Sequence, residues 1–349
     1  MDALLWQDQS LALLDQNRYP EEEVWVDCPD YRKVAQLLGA SAIQGDGIVA
    51  SAGAYGYALA ALEFQGAPDF HEKMSQARNA LLEARPLSVA IKRGMATMDQ
   101  FYAQYREDDQ LVTALLAAAV TVHRQDVIAC RAMSRIGTEI LPDDATVILA
   151  CQTGAFHAGV FGGPLGVMRA ARAKGRLGRV YLCEGRPHWE DTRRIAHALT
   201  ELNLPATLMP DSSAAVLMAR GQSDVIFVEA FAVAANGDIT APAGSYALAI
   251  AAYFHSIQVY AVAYSRDLDV SLPDAAAFPT VDAPSEEAEN FAGVRLTQDG
   301  VDAWASGRDT IPNYLLTGII TDKGICFPPY GETIPEKLAS TPDKSVLVL

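Results

Sequence analysis

The sequence predicts an α/β protein in two parts, a small, mainly helical first part and a larger second part built on a parallel sheet. From about Thr146 onward, short β-branched or apolar runs alternate with helical stretches, which is the pattern of a parallel sheet with helices on its faces. Before that, from about Leu4 to Glu107, apolar residues recur at three- and four-residue spacing, as in a helical segment. Between the two, Gln110–Gly137 is rich in Ala, Leu and Val with no breaker and reads as a long joining helix. The division is therefore set near residue 120, giving parts 1–120 and 121–349. At 349 residues, half of them hydrophobic, the chain exceeds the usual single-domain size and can fill two cores.

In the first part, the Ala-rich stretches Gly53–Leu62 and Met74–Ala84 are the clearest helices, and only Glu23–Asp27, just before Pro29, looks like a strand. The second part reads in pairs. TVILA precedes a helix through VMRAARAKG, RVYLC precedes DTRRIAHALTEL, and PATLM precedes SAAVLMARG. DVIFV then precedes a helix near SYALAIAAYFH, and QVYAVAY closes the series. Pro273–Glu289 reads as an irregular loop and Ala339–Leu349 as a weakly ordered tail.

Charge narrows the partners. Lys and Arg number 27 against 43 acidic residues, a formal charge of −16, which repels phosphate backbones and anionic lipid. No nucleic-acid or membrane-surface partner is expected. The amino terminus has no basic region ahead of an apolar core, and no apolar run is expected to reach membrane-spanning length. Five cysteines without a CxxC pair, in a chain large enough to fold unstapled, read as reduced thiols of a cytoplasmic protein.

Ligands of open α/β sheets bind beyond the carboxyl ends of the strands. The residues following the predicted strands are Cys151-Gln152-Thr153-Gly154, Glu184-Gly185-Arg186-Pro187, Asp211-Ser212-Ser213, and Glu229 with Phe231. Cys151 suits an acid/base or nucleophilic role if its thiol pKa is tuned, with Arg186 the nearest cation in sequence; equally, it suits simple packing at a strand end. Glu184 and Asp211 suit proton transfer or binding of sugar hydroxyls, or helix capping, for which Asp211 before SSAAVLMAR is well placed. The glycine-rich Gly162–Gly166 turn lacks GxGxxG spacing and reads as close helix packing. His157 is the one histidine in a strand-end loop, and with no HxxxH or HExxH pair no metal site is expected.

Segments distributed over nearly the whole chain resemble one family: LLDQNRYP, GAYGYALAA, CQTGAFHAG, LGVMRAARAKG, CEGRP, DSSAAVLM, AANGDI, GSYALAI and TGIITDKG. In this order they look like the methylthioribose-1-phosphate isomerases, relatives of ribose-1,5-bisphosphate isomerase and of the regulatory subunits of initiation factor 2B. The resemblance implies a Rossmann-like second domain, a homodimer, and a cofactor-free aldose-to-ketose isomerisation using a cysteine and an aspartate. Cys151 falls on the family cysteine. Phe231 falls where the aspartate should be, and a phenyl ring transfers no proton.

Other positions depart as well. The family's phosphate-binding arginine segment reads Gln44-Gly45-Asp46-Gly47 here, its Asn-Lys pair reads Ala241-Pro242, and a glutamine after ETRP reads Glu190, while Arg85 is kept. Gln152 and Gly185 replace further family residues, and Asn236 stays in AANGD. New carboxylates beside a phosphate would cost several kcal/mol, on the order expected for close like charges away from water. The leading expectation is an isomerase-type enzyme on a small sugar-derived substrate other than the phosphate ester. Cys151, Glu229 and Glu184 would do the chemistry. Gln44, Gly45, Asp46, Arg85, Gln152, Thr153, Arg186, Glu190, Asp211, Phe231 and Asn236 would bind the substrate. Two alternatives stand beside it: a non-catalytic regulatory protein, and residual methylthioribose-1-phosphate isomerase activity with Glu229 supplying the lost carboxylate from the strand face it would share with position 231.

Overall fold

The computed structural model describes residues 3–340 except 8, 87, 151, 153–160, 188 and 292, together with the backbone but not the side chains of 190 and 191. The expectations for Cys151, Thr153, His157, the Glu190 side chain and most of the tail lie outside the described residues. The chain divides into two compact units at Cys130–Arg131, Phe161 counting with the first.

The first unit opens with strands, which corrects the expectation of a helical start. β1 (Leu4–Gln7), β2 (Ser10–Leu14) and β3 (Trp25–Cys28) form an antiparallel sheet. Leu11 and Leu13 of β2 are fully buried two residues apart, so a period of two decides here. The helices α1 (Tyr31–Gly39), α2 (Asp46–Phe64), α3 (Phe70–Ala84) and α4 (Val89–Tyr105) follow. α2 is the core helix, buried at every residue from Gly47 to Ala61. Its backbone is approached closely by α4 because Gly94 has no side chain: a Cβ there would lie 2.7 Å from the Ala50 carbonyl oxygen.

α5 (Leu111–Glu139) is the expected long helix and runs through the division between units. Both α2 and α5 are long and apolar enough to pass a membrane-span test, contrary to the expectation that no run reaches that length. In α2 the apolarity is that of a core helix, since 89% of the apolar window is buried in the protein; the figure for α5 is 39%.

The second unit carries β4 (Ala145–Ala150), α6 (Gly163–Ala173), β5 (Leu177–Cys183), α7 (Trp189–Glu201), β6 (Ala206–Met209), α8 (Ala214–Ala219) and β7 (Val225–Glu229). Then come β8 (Ala232–Ala234), β9 (Ile239–Ala241), α9 (Ser245–His255), β10 (Gln258–Val262) and β11 (Leu268–Asp269). α10 (Ser285–Glu289), β12 (Asn290–Phe291), β13 (Val294–Arg295), β14 (Asp309–Ile311), β15 (Gly318–Thr321), β16 (Gly324–Cys326) and α11 (Tyr330–Ala339) complete it. The region expected as a loop at 273–289 thus ends in the short helix α10.

The main sheet has the order β16-β15-β10-β7-β4-β5-β6, parallel throughout except for β16. Successive crossovers from β4 go one way to β5 and β6, and the chain then returns to the other side for β7, β10 and β15. That is the order of doubly wound nucleotide-binding sheets, whose crevice opens where the winding reverses. The reversal lies between β4 and β7, with Ala150 in register with Val228. Burial on both faces, from Val147 to Leu149 and from Val225 to Val228, explains why these strands are continuous apolar runs. A second small sheet, β11-β8-β9-β14, stands beyond the end of β7.

Candidate active site

The crevice at the winding reversal is built from the ends of β4 and β7. Glu229, the last residue of β7, is 6% exposed, and its Oε2 accepts a hydrogen bond from the backbone N–H of Gln152 at 2.7 Å. Gly163, at φ +51°, opens α6 beside the same carboxylate, where a Cβ would stand 3.8 Å from Oε1. A buried carboxylate near a helix amino terminus is favoured by the helix dipole. Glu229 is thereby held against the residue that follows Cys151. The amide nitrogen Nε2 of Gln152 is buried and has no partner among the described residues.

Phe231 does not share a strand face with Glu229, which corrects the reason given for substitution between the two. β7 ends at Glu229, and Phe231 sits in the bend beyond it, its N–H donating to the Thr240 carbonyl and its ring covered by the Arg308 guanidinium at 4.8 Å. Asn236 is engaged in its own turn: Nδ2 donates to Asp238 Oδ2 at 2.9 Å and Oδ1 accepts from the Asp238 N–H.

The neighbouring strand ends, of β5 and β6, meet a third element. Asp211 suits both ligand contact and helix capping by its position, yet it makes no side-chain cap bond to α8. Its Oδ1 instead accepts from the Gly185 N–H at 3.2 Å, tying the end of β6 to the end of β5. Burial pushes the Asp211 carboxyl above its ordinary value, against hydrogen bonds from the Gly185 and Glu184 amides and the Cys183 thiol, with the charge of Asp309 pushing further up. Burial also raises Glu184, Asp211 adding to the effect and Arg186 opposing it. Cys183 is raised far, by burial first and then by Asp211, so it is a protonated, inert thiol.

Arg186 turns to the segment at α10 and β12. Its guanidinium donates to the carbonyls of Ala288 at 2.9 Å and Asn290 at 3.2 Å and lies over the Phe291 ring. In the first unit, Arg85 donates from Nε to the Leu38 carbonyl at 2.8 Å and from Nη2 to the Ile43 carbonyl at 2.7 Å. Burial lowers its pKa, and Asp46 partly offsets this. Gln44 is clamped at its backbone by the buried Gln16 side chain, through bonds of 3.1 and 3.2 Å, and leads through Gly45 (φ +92°) into Asp46 at the start of α2.

The third element is the amino terminus of α9. Asp309 Oδ2 accepts from the Tyr246 N–H at 2.9 Å, so a protein carboxylate already occupies the first turn. Gly244, at φ +90°, lets Asp211 come close: a Cβ there would be 2.9 Å from its Oδ2. A small pocket results, lined by Ala150, Cys183, Gly185, Asp211, Pro242, Ala243, Gly244, Ser245 and Leu248. Ser245, Gly244 and Asp309 were not singled out from the sequence. GSYALAI marks the first two, but nothing local marks Asp309, which lies more than sixty residues further on. Among the described residues no three His, Cys, Asp or Glu gather as a metal site.

Comparison with known proteins agrees with this architecture. Residues 42–328 match the model of the initiation factor 2 subunit family. A methylthioribose-1-phosphate isomerase of Desulforudis audaxviator is 34% identical over 97% of this chain and 98% of its own length. Another, of Pelotomaculum thermopropionicum, is 34% identical over 96% of this chain and 93% of its own. The crystal structure of 5-methylthioribose 1-phosphate isomerase from Pyrococcus horikoshii OT3 superposes with a TM-score of 0.92 at 27% identity, covering 96% of this chain and 95% of that one. That of translation initiation factor eIF-2B, subunit delta, from A. fulgidus superposes at 0.90 and 27%, covering 97% and 100%.

Proposed function

Since the chain belongs to the initiation factor 2 subunit family, we propose that it is an isomerase-type enzyme that converts a small, unphosphorylated aldose to the ketose through Cys151 and Glu229. The observation that carries this reading is the buried Glu229 carboxylate held on the Gln152 amide at the winding reversal. The relatives named as isomerases supply the reaction class.

In the chemistry we assign, one of the pair removes the proton from C2 of the open-chain sugar while the other protonates the carbonyl oxygen on C1, giving an enediol. Return of a proton to C1, with loss of the proton on O2, leaves the ketose and both groups as they began. No electron carrier is needed. Glu229 suits the carbon-bound proton, because its carboxylate is held in place at the crevice by the Gln152 amide. The unpartnered Gln152 amide suits a substrate oxygen. Substrate recognition by Glu184, Asp211 and Glu190 belongs to the same proposal, as do a homodimer and a cytoplasmic location.

The test is incubation with 5-methylthioribose and, separately, its 1-phosphate, following ketose formation by NMR. Turnover of the free sugar is expected, with a 10²- to 10⁴-fold loss in Glu229→Gln, the range of a missing general base, and abolition in Cys151→Ala. Turnover of the phosphate ester alone would return the chain to the activity in its relatives' names. A second reading, a regulatory subunit without turnover, is favoured by Phe231 and by the likeness to the eIF-2B delta structure. Its sign is a stable heteromeric partner together with inert chemistry on both sugars.

A further inference from the structure

We infer that the pocket at the amino terminus of α9 is a subsite for a single hydroxyl of the substrate, donating to Asp211 and accepting from Ser245, and that it rejects an anionic group. The inference rests on the reading of the substrate as an unphosphorylated sugar and assigns where that sugar is discriminated from its phosphate ester.

Three observations meet here. Ser245 is 1% exposed, lines the pocket, and its Oγ has no hydrogen-bond partner among the described residues. A buried hydroxyl without a partner is costly, and such groups in native proteins are commonly completed by a ligand or by water. Asp211 lines the same pocket. Its carboxylate takes bonds from the Gly185 and Glu184 amides and the Cys183 thiol, the Gly185 amide on Oδ1, and Oδ2 lies against Gly244 at the pocket wall. A hydroxyl can donate to that carboxylate and accept from the serine, and thereby satisfies both.

The third observation concerns charge and size. A helix amino terminus ordinarily favours an anion, but here the Tyr246 N–H already serves Asp309. A phosphate arriving in this pocket would meet Asp211 with Asp309 behind it, and the lining supplies no cation. The enclosed space admits a group of about the size of a water molecule, which suits a hydroxyl and not a phosphate. The pairing of Asp211 with Gly244 also accounts for the glycine, since any side chain at that position would push into the carboxylate.

The experiment is calorimetric binding of ribitol and of ribitol 5-phosphate to the full chain carrying Cys151→Ala, so that binding is read without turnover. Ribitol is expected to bind at least tenfold more tightly than its phosphate. Ser245→Ala removes an unpartnered hydroxyl, leaves the fold intact, and is expected to weaken ribitol by about 10-fold, as for one hydrogen bond. Asp211→Asn keeps an acceptor for Gly185 and is expected to weaken ribitol by about 10- to 100-fold while narrowing the margin over the phosphate. Ribitol phosphate binding as tightly as ribitol, an unchanged affinity in Ser245→Ala, or no ribitol binding would each overturn the subsite. Ribitol binding that depends on Ser245, in a protein that turns over neither sugar, would uphold the subsite and remove the isomerase reading. Turnover of the free sugar with affinity indifferent to Ser245 would do the reverse.

Discussion

Two carboxylates of the second unit, Asp238 in the β8–β9 turn and Asp211 at the end of β6, are both drawn out of solvent and hydrogen-bonded, Asp238 buried and Asp211 half-buried, yet they are treated oppositely. Burial alone would raise Asp238, but Asn236, the Asn313 amide and side chain, and the Ala275 amide all donate to it and hold it below the usual carboxylate range. Those bonds run from 2.8 to 3.0 Å and draw three separate segments onto one side chain. Asp211 has fewer donors, faces another carboxylate, and stays above its ordinary value. A carboxylate with every lone pair engaged is a knot in the fold; one left under-supplied beside a pocket is available to a ligand.

The widest break in this comparison is expected from Asp238→Ala. It strands four donors inside the small sheet region and is expected to lower stability by about 3 to 5 kcal/mol, the range for loss of a buried network. Asp211→Ala strands fewer donors and removes a carboxylate that burial holds above its ordinary value, so it is expected to cost less, about 1 to 2 kcal/mol, while removing ligand binding. Urea unfolding of both variants checks this, and equal losses would dissolve the distinction.

Acid titration sharpens it. Asp238 titrates in the folded chain below the 3.8 of a free aspartate, so its contribution is complete above that value and is lost as pH falls toward the folded pKa. Asp211 is raised, so the folded state holds its proton more tightly, and stability falls as pH rises from 3.8 through the raised value. Relative to Asp211→Asn, the wild-type chain is therefore expected to lose stability as pH climbs out of the acid range. Relative to Asp238→Asn it is expected to gain. Unfolding curves at a series of pH values from 3 to 7 measure both slopes, and parallel curves would contradict the assignment.

Much of this architecture is legible in the residues, and the exceptions have physical causes. β4, β7 and β10 are readable because a strand buried on both faces must be a continuous apolar run. β1 and β2, as LLWQ and SLALL, lack β-branched residues and are short enough to pass for helix. At the site, Glu229 and Asp211 are legible because ligand groups follow strand ends, but what they bond to is not. Asp211 reads locally as a cap and proves to serve Gly185, 26 residues back. Ser245 and Asp309 become visible only when β14 pairs with β9 and brings Asp309 to the first turn of α9. Such long-range pairing leaves no periodicity in sequence.

The smallest effect lies where the two regions adjoin. Arg308, just before Asp309, is exposed and covers the Phe231 ring at 4.8 Å. Its own backbone belongs to the approach of β14, so truncation to alanine leaves the β9 pairing and the Asp309 cap in place. Only the cation–π contact is lost, which for an exposed pair is about 0.5 to 1 kcal/mol. A double-mutant cycle of Arg308→Ala with Phe231→Leu isolates that contact from the area each residue covers. A coupling near 0.5 kcal/mol would mean that Phe231 is held in place by its stacked cation. A coupling of zero would leave the ring positioned by its backbone bond to Thr240 alone, and the arginine free to meet whatever approaches the end of β7.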